Sequence, residues 1–126
     1  HDAARPFVSS EDIVRVVESA RMHTSAILGK PISSTIKKVK AGSIETTIPR
    51  KTLFEALTPQ VFDLGLLEQA YLKAHNDQYL GTDDSELVER LGEMVSVVEP
   101  TSNSMKVTTP LDLEVANAIA IEKYKF

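Results

Sequence analysis

Two cationic residues stand where their types and positions suit phosphate binding. Lys106 lies just ahead of Thr109 and Pro110, a pair that is typical of a helix start. A helix N-terminus attracts anions through its dipole and its free N–H groups, and a lysine beside it adds a point charge. Arg50 can grip a phosphate with two parallel hydrogen bonds. The two residue types are therefore compatible with chemistry on a phosphate group.

Each charged residue of interest also has an ordinary explanation. Asp2 and Arg5 are compatible with a surface ion pair. Lys106 is compatible with a solvated lysine at the end of a strand, and Arg50 beside Lys51 with a solvated run of charge. Taken singly, none of them favours a binding site.

The polar residues between these two regions are equally open to two interpretations. Thr58 precedes Pro59 and can simply shape a turn. Thr82 is predicted to cap a helix, and Asp83 and Asp84 then fall in the first helical turn, where the dipole favours acids. We prefer this interpretation to a metal site, so no metal ligand is predicted.

An alternation of strands and helices is expected to position these residues. The patterns predict, in order, a helix that Ser10 caps and that runs to about Met22, a strand at 25–28, a hairpin within 34–48, a helix around 66–74, a helix after Thr82, a strand at 94–98, a short strand at 106–107 and a final helix. The first helix is predicted from the apolar spacing of Ile13, Val16, Val17 and Ala20. This order predicts an α/β fold with a mainly parallel sheet.

The final helix has the clearest start. Thr109 is predicted as its N-cap, and Asp112 completes a Thr-x-x-Asp capping box. Val115, Ala116 and Ile119 are predicted to form its buried face.

The predicted hairpin carries little apolar surface. Its strands flank Lys40-Ala41-Gly42-Ser43, a turn in which Gly42 can adopt positive φ. An isolated hairpin is marginally stable in water, so we expect it to pack on something, and a second subunit is a natural candidate.

Composition narrows the functional class. The 126 residues, expected to form one domain, carry a net charge of −4, which does not favour nucleic acid as a partner. There is no cysteine, and His1, His23 and His75 form no ligand motif. No apolar run reaches membrane-spanning length, so no membrane partner is predicted. The absence of cysteine is compatible with a reducing compartment.

Several short motifs follow one another in a recognisable order. They are His-Asp-Ala-Ala-Arg-Pro at 1–6, 31–38, Arg-Lys-Thr-Leu at 50–53, Ala-Leu-Thr-Pro-Gln at 56–60, Thr-Asp-Asp at 82–84 and Lys-Val-Thr-Thr-Pro-x-Asp-Leu at 106–113. This ordered set resembles the 2-C-methyl-D-erythritol 4-phosphate cytidylyltransferases, in the C-terminal half of the family's chain. The resemblance implies the C-terminal part of a Rossmann-like nucleotidyltransferase sheet with a projecting β-arm.

The family transfers a cytidylyl group from CTP to 2-C-methyl-D-erythritol 4-phosphate and releases pyrophosphate, in the non-mevalonate route to isoprenoid precursors. The resemblance thus implies CTP and a sugar-alcohol phosphate as partners, Mg²⁺ as cofactor, and a homodimer through an arm at residues 34–50. It also implies a location in the bacterial cytoplasm, with the plastid left open. Ribitol-5-phosphate cytidylyltransferases share similar motifs and remain an alternative. A second alternative is an inactive fragment that acts only in dimerisation.

The resemblance also implies roles for individual residues. Asp2, Arg5, Thr35, Thr58 and Thr82 would bind the sugar phosphate, Thr82 near the transferred group, and Ala3 would line the nucleotide side. Lys106 would sit at the α-phosphate of CTP. Arg50, on the arm with Thr35, would reach the substrate phosphate in the neighbouring subunit's site, and both Lys106 and Arg50 would act in catalysis.

One feature of the family has no counterpart among these residues. Its glycine-rich nucleotide loop belongs to an N-terminal part, whereas the five glycines here are isolated: Gly29, Gly42, Gly65, Gly81 and Gly92. We therefore expect the working protein to be longer and this chain alone to be incomplete and inactive.

Overall fold

A computed structural model describes residues 1–124 of the chain. Its helices are α1 (Ser10–His23), α2 (Leu64–Asn76), α3 (Asp84–Glu89) and α4 (Pro110–Tyr124). Its strands are β1 (Ser25–Pro31), β2 (Ile36–Lys40), β3 (Ser43–Ile48), β4 (Phe54–Phe62) and β5 (Ser96–Val98), with a 3₁₀ turn at Arg50–Thr52. The α/β fold class is confirmed. That residues 1–126 form one domain stays a prediction, and residues 125 and 126 lie outside the described residues.

A three-stranded sheet in the order β4-β1-β5 lies at the centre. β1 runs antiparallel to β4 and parallel to β5, so the prediction of a mainly parallel sheet is wrong for the described residues. The reason is the hairpin, because the chain leaves the sheet after β1 and returns as β4 without a crossover helix. Between β4 and β5 it passes through α2 and α3, and the β1–β5 pair is accordingly parallel.

β4 is the strand that periodicity did not predict. The motif Ala-Leu-Thr-Pro-Gln lies inside it, and its Thr58-Pro59 peptide bond is cis. Proline cannot donate to a ladder and argues against a strand in a sequence pattern. The ladder is irregular at this point, since Ile27 faces Gln60 while Gly29 faces Ala56.

Within residues 1–124, most of the buried apolar residues fall into two clusters. α1 packs on the sheet through Val16, Ala20, Ala26, Leu28 and Leu57. α2 packs on α3 through a second set, namely Ala70, Ala74, Leu87 and Val88. The apolar spacing predicted for α1 is confirmed at Val16 and Ala20, although Ile13 is 42% exposed.

The predicted hairpin is confirmed as β2 and β3, which pair with each other and with no other strand in the described part of the chain. Ala41 and Gly42 both have positive φ at its turn. Val39 and Ile44 are 59% and 64% exposed, so the hairpin projects with its few apolar groups uncovered.

The helix starts differ from the predicted ones by one residue in two cases. α1 is capped by Ser9, whose Oγ accepts from the Asp12 N–H, and not by Ser10. α3 is capped by Asp83, whose Oδ1 accepts from the Glu86 N–H, and not by Thr82, whose hydroxyl donates to the Glu86 carboxylate. α4 begins as predicted, with the Thr109 hydroxyl accepting from the Asp112 N–H.

Two predictions near the end of the chain are wrong. Residues 106–107 form no strand, although the Val107 N–H donates to the carbonyl oxygen of Ala4 at 2.8 Å. Within α4, Ala116 is buried, but Val115 is 43% exposed and Ile119 only partly buried. Among residues 1–124, none of the helices combines the length and the apolar character that a membrane crossing requires.

Candidate active site

The first five residues form a tight turn that aims the Asp2 side chain. The Arg5 N–H donates to the Asp2 carbonyl oxygen at 2.9 Å, and the Ala4 N–H donates to Asp2 Oδ1 at 3.2 Å. An Asp that accepts from the backbone two residues ahead is a local turn device. The spacing of Asp2 and Arg5 therefore reflects a turn and not a direct ion pair between their side chains.

Lys106 meets Asp2 across this turn. Its Nζ lies 2.8 Å from Asp2 Oδ2, although the two residues are about a hundred positions apart in the sequence. The hydrogen bond from Lys106 lowers the pKa of the Asp2 carboxyl, with further help from the Ala4 N–H. Both side chains keep solvent access, at 47% and 27% of their surface, so both can reach a ligand.

Thr58 joins the same group from β4. Its Oγ1 accepts from the Asp2 N–H at 3.0 Å and lies 3.0 Å from His1 Nδ1. A cavity of about 290 Å³ opens here, lined by His1, Asp2, Thr58, Gln60, Asp83 and Asp84. The structure thus brings Asp2, Thr58 and Lys106 close together, as is required of residues that bind one ligand.

His1 and Gln60 are residues of this cavity to which sequence reasoning gave no role. Gln60 Nε2 donates to Asp83 Oδ2 at 2.8 Å, and its Oε1 accepts from the Ser85 N–H at 3.2 Å. Gln60 therefore ties β4 to the start of α3. Gln60 is the last residue of the motif Ala-Leu-Thr-Pro-Gln, and its place in that motif is the sequence signal that could have identified it.

The carboxylates of the two aspartates at the start of α3 already accept hydrogen bonds from other residues of the chain. Asp83 Oδ1 accepts from the Glu86 N–H at 2.9 Å, and Asp84 Oδ1 accepts from the Tyr71 hydroxyl. This hydrogen bond to Asp84 raises the pKa of Tyr71. The first-turn interpretation is confirmed for Asp84 and wrong for Asp83, which is the N-cap of the helix.

Thr82 lies beside the cavity without lining it. Its N–H and its hydroxyl both donate to Glu86 Oε2, at 2.7 and 2.8 Å. These bonds, with one from the Tyr79 hydroxyl, lower the pKa of Glu86 to about 2. Thr82 thus supports the helix start from the residue before the cap, and its contact with a substrate stays a prediction.

Arg5 and Ala3 face a different side of the N-terminal turn. The Arg5 guanidinium is buried and donates to the Ser104 carbonyl oxygen. Ala3 lines an apolar groove of about 640 Å³ between this turn and α4. Neither residue lines the cavity at Asp2, and their predicted ligand contacts stay predictions.

Arg50 and Thr35 lie at the base of the hairpin, away from the cavity lining. Arg50 sits in the 3₁₀ turn and its guanidinium donates to the Ser33 carbonyl oxygen. Thr35 is exposed just before β2. Within one chain, therefore, the two arm residues do not join Asp2, Thr58 and Lys106 at the cavity.

The described residues do not fit a protein-built Mg²⁺ cage. No group of three or more His, Cys, Asp or Glu side chains within residues 1–124 could hold a metal ion. Mg²⁺ in nucleotide enzymes is commonly held by one or two carboxylates together with substrate phosphates. We therefore derive no chemical step through the metal.

Comparison with known proteins decides the family. Residues 1–122 match the family model of IspD, 2-C-methyl-D-erythritol 4-phosphate cytidylyltransferase. The chain belongs to this cytidylyltransferase family. A cytidylyltransferase of this name from Halalkalibacterium halodurans is 47% identical over 98% of the chain, and one from Bacillus licheniformis is 45% identical over 94%.

The fold comparison agrees with this assignment. The crystal structure of the cytidylyltransferase from Thermus thermophilus superposes with a TM-score of 0.86 and 35% identity, over 95% of this chain and 59% of that one. The chain spans about half the length of the curated cytidylyltransferases it matches, 54% and 52% for the two above. Shared length alone does not place the chain in one half of them, so the C-terminal position stays a prediction.

Proposed function

We propose that the protein to which this chain belongs transfers a cytidylyl group from CTP to 2-C-methyl-D-erythritol 4-phosphate. The observation that carries the proposal is the contact of Lys106 with Asp2, which lines a cavity together with Thr58, in a member of this family. Both relatives named above carry the methylerythritol phosphate name, which supports this substrate over ribitol 5-phosphate.

In the proposed reaction, an oxygen of the sugar phosphate attacks the α-phosphorus of CTP. A new phosphorus–oxygen bond forms, the bond to the bridging oxygen breaks, and pyrophosphate leaves. Both reactants are anions, so the barrier lies largely in charge repulsion and alignment. The attacking oxygen is already ionised, and no general base is required.

The residues at and near the cavity have different proposed roles in this reaction, which follow from their charge and polarity. The Lys106 ammonium, partly exposed beside the cavity, would neutralise charge at the α-phosphate. Asp2 holds that ammonium at 2.8 Å and, with Thr58, offers acceptors to substrate hydroxyls. Thr82 and Arg5 would add contacts once a substrate is bound. Mg²⁺ stays part of the proposal and would supply further positive charge to the nucleotide phosphates.

Arg50 and Thr35 enter through a proposed homodimer. The hairpin is a separate two-stranded unit with exposed Val39 and Ile44, and a second subunit would cover it. Arg50 at its base would then grip the substrate phosphate in the partner's cavity. A cytoplasmic location is likewise part of the proposal, suggested by the bacterial relatives.

The test is product formation by the complete protein, with Lys106→Ala as the key variant. We expect a cytidine-diphospho product from CTP and methylerythritol phosphate, and a loss in rate on the order of 10²–10³ for Lys106→Ala, as for other lost transition-state donors. Lys30→Ala is the matched control, because Lys30 makes an exposed ion pair with Glu55 at 3.2 Å outside the cavity.

Two results would count against the proposal. Faster turnover of ribitol 5-phosphate than of methylerythritol phosphate would shift the substrate to the alternative. Near-normal turnover by Lys106→Ala, in a protein as well folded as the control, would remove Lys106 from the chemistry.

A further inference from the structure

A fully buried carboxylate lies at the start of α1, away from the cavity. Asp12 has no solvent-exposed surface, and it occupies the first turn of the helix, where the dipole favours an anion. A buried carboxylate without partners would be costly, so its contacts reveal what it does. Asp12 does not line the cavity of Asp2 and Thr58.

Asp12 forms only half of the capping box that its sequence suggests. Its N–H donates to Ser9 Oγ at 3.0 Å, which is one of the two bonds of such a box. The return bond, from the Ser9 N–H to the carboxylate, is replaced by a bond from the Ser9 N–H to Ser102 Oγ at 3.3 Å. The carboxylate is thereby free to serve another part of the chain.

That part is the loop between β5 and α4. Asp12 Oδ1 accepts from the N–H and the hydroxyl of Thr101, at 2.8 and 3.0 Å. Oδ2 accepts from the N–H of Ser102 at 3.1 Å and from its hydroxyl. Arg15 adds a weaker contact at 3.4 Å while it also donates to the Glu99 carbonyl oxygen at 2.8 Å.

The bound loop has no helix or strand of its own from residue 99 to residue 109. Its backbone must therefore be held by side chains and by neighbouring segments. After Thr101 and Ser102, the next anchors are the Ser104 carbonyl oxygen, bound by Arg5, and the Val107 N–H, bound by the Ala4 carbonyl oxygen. Lys106 lies between these last two anchors.

We propose that Asp12 is a positioning residue for Lys106, acting through the loop at 101–104. The inference rests on the proposed function of Lys106 and extends it to a residue that touches no substrate. Burial opposes ionisation of Asp12, but hydrogen bonds from Ser102 and Thr101 outweigh it and lower its pKa to about 2. The carboxylate is consequently charged, and the anchor is in place, at any ordinary pH.

The variant that tests this role is Asp12→Asn in the complete protein. Asparagine keeps the size of the side chain but replaces one acceptor oxygen by a donor, which faces the donors of Thr101 or Ser102. We expect kcat to fall roughly 10- to 100-fold, because a misplacement of about 1 Å is worth up to about 10² in rate. Asp63→Asn is the matched control: Asp63 caps α2 at an exposed N–H of Leu66, and kcat should not change.

A double-variant cycle separates positioning from a general structural effect. If Asp12 acts through Lys106, adding Asp12→Asn to Lys106→Ala should lower kcat by less than about threefold, since coupled residues are not additive. Full additivity of the two losses would overturn the inference. Thermal unfolding of each variant confirms that the assay compares folded proteins; should Asp12→Asn fail to fold, Ser102→Ala removes one hydroxyl contact and takes its place.

A second measurement does not depend on activity. The pKa of Asp2 is low because Lys106 donates to it, so an NMR titration of the Asp2 carboxyl reports whether Lys106 is in place. We expect Asp12→Asn to raise this pKa toward its ordinary value and Asp63→Asn to leave it unchanged. If the unsubstituted protein makes no cytidylyl product, the proposed function fails, and this titration alone then tests the role of Asp12. An Asp2 pKa that is unchanged by Asp12→Asn would overturn the inference.

Discussion

Individual residues in this chain have roles that their neighbours in sequence do not reveal. Asp2 is stabilised by a lysine about a hundred positions away, and Asp12 by two residues of the same distant loop. In both cases the donor belongs to the irregular segment between β5 and α4. Short polar side chains near the start of the chain therefore organise the loop that carries Lys106.

Gly29 is a residue whose importance comes from packing. A Cβ placed on it would lie 2.7 Å from Val97 Cγ1, where β1 meets β5. We expect Gly29→Ala to lower the free energy of unfolding by about 1–3 kcal/mol, the usual range for overpacking. Denaturant unfolding measures the change.

Gly65→Ala is the control for that substitution. Gly65 lies in the first turn of α2, and its added Cβ would meet the Asp63 carboxylate at 3.4 Å, an ordinary contact. Alanine should stabilise the helix there by up to about 1 kcal/mol. Equal destabilisation by both substitutions would contradict the packing explanation.

Among the elements, the hairpin and the central strand of the sheet differ in burial. β1 is buried along most of its length, whereas β2 and β3 expose nearly every residue. A two-stranded ribbon of this kind gains little from burial within its own chain. Its apolar side chains contribute to stability only if another surface covers them.

The hairpin prediction is tested by Ile44→Asp in the complete protein. If a second subunit covers Ile44, which is 64% exposed in one chain, the buried charge should weaken self-association at least about tenfold. Sedimentation equilibrium measures the dissociation constant. Met94→Asp is the control, because Met94 is 86% exposed and lies outside the hairpin.

An unchanged dissociation constant for Ile44→Asp would remove the hairpin from the dimer interface. A protein that is monomeric without any substitution would do the same. Equal weakening by Ile44→Asp and Met94→Asp would indicate a loss of solubility and not a specific contact.

The whole molecule is proposed to share its active sites between two subunits. Lys106 contacts Asp2, which lines the cavity, while Arg50 lies at the hairpin base and donates to the Ser33 carbonyl oxygen. A site completed by a partner's Arg50 would explain this separation. Because the chain spans about half of its relatives' length, the arrangement concerns the complete protein.

Subunit mixing tests this shared site. A heterodimer of an Arg50→Ala subunit with a Lys106→Ala subunit contains one site with both residues intact and one with neither. We expect roughly half of the unsubstituted activity per dimer to return, from two variants that are each depressed on the order of 10²-fold or more. Absence of recovery in heterodimers of proven composition would mean that Arg50 serves its own subunit's site or none.

Local patterns predicted the helices, the hairpin and the capping box of α4, because these depend on residues within one or two turns of each other. The ordered motifs likewise led to the family and pointed to Asp2, Thr58 and Lys106. The tertiary structure alone decided the rest: β4, where Thr58-Pro59 lies inside a strand, the antiparallel return after the hairpin, and the loop held by Asp12. The physical reason is sequence separation. Hydrogen bonds between residues 56 or 89 positions apart leave no periodic trace along the chain, and neither does the pairing of β1 with β4.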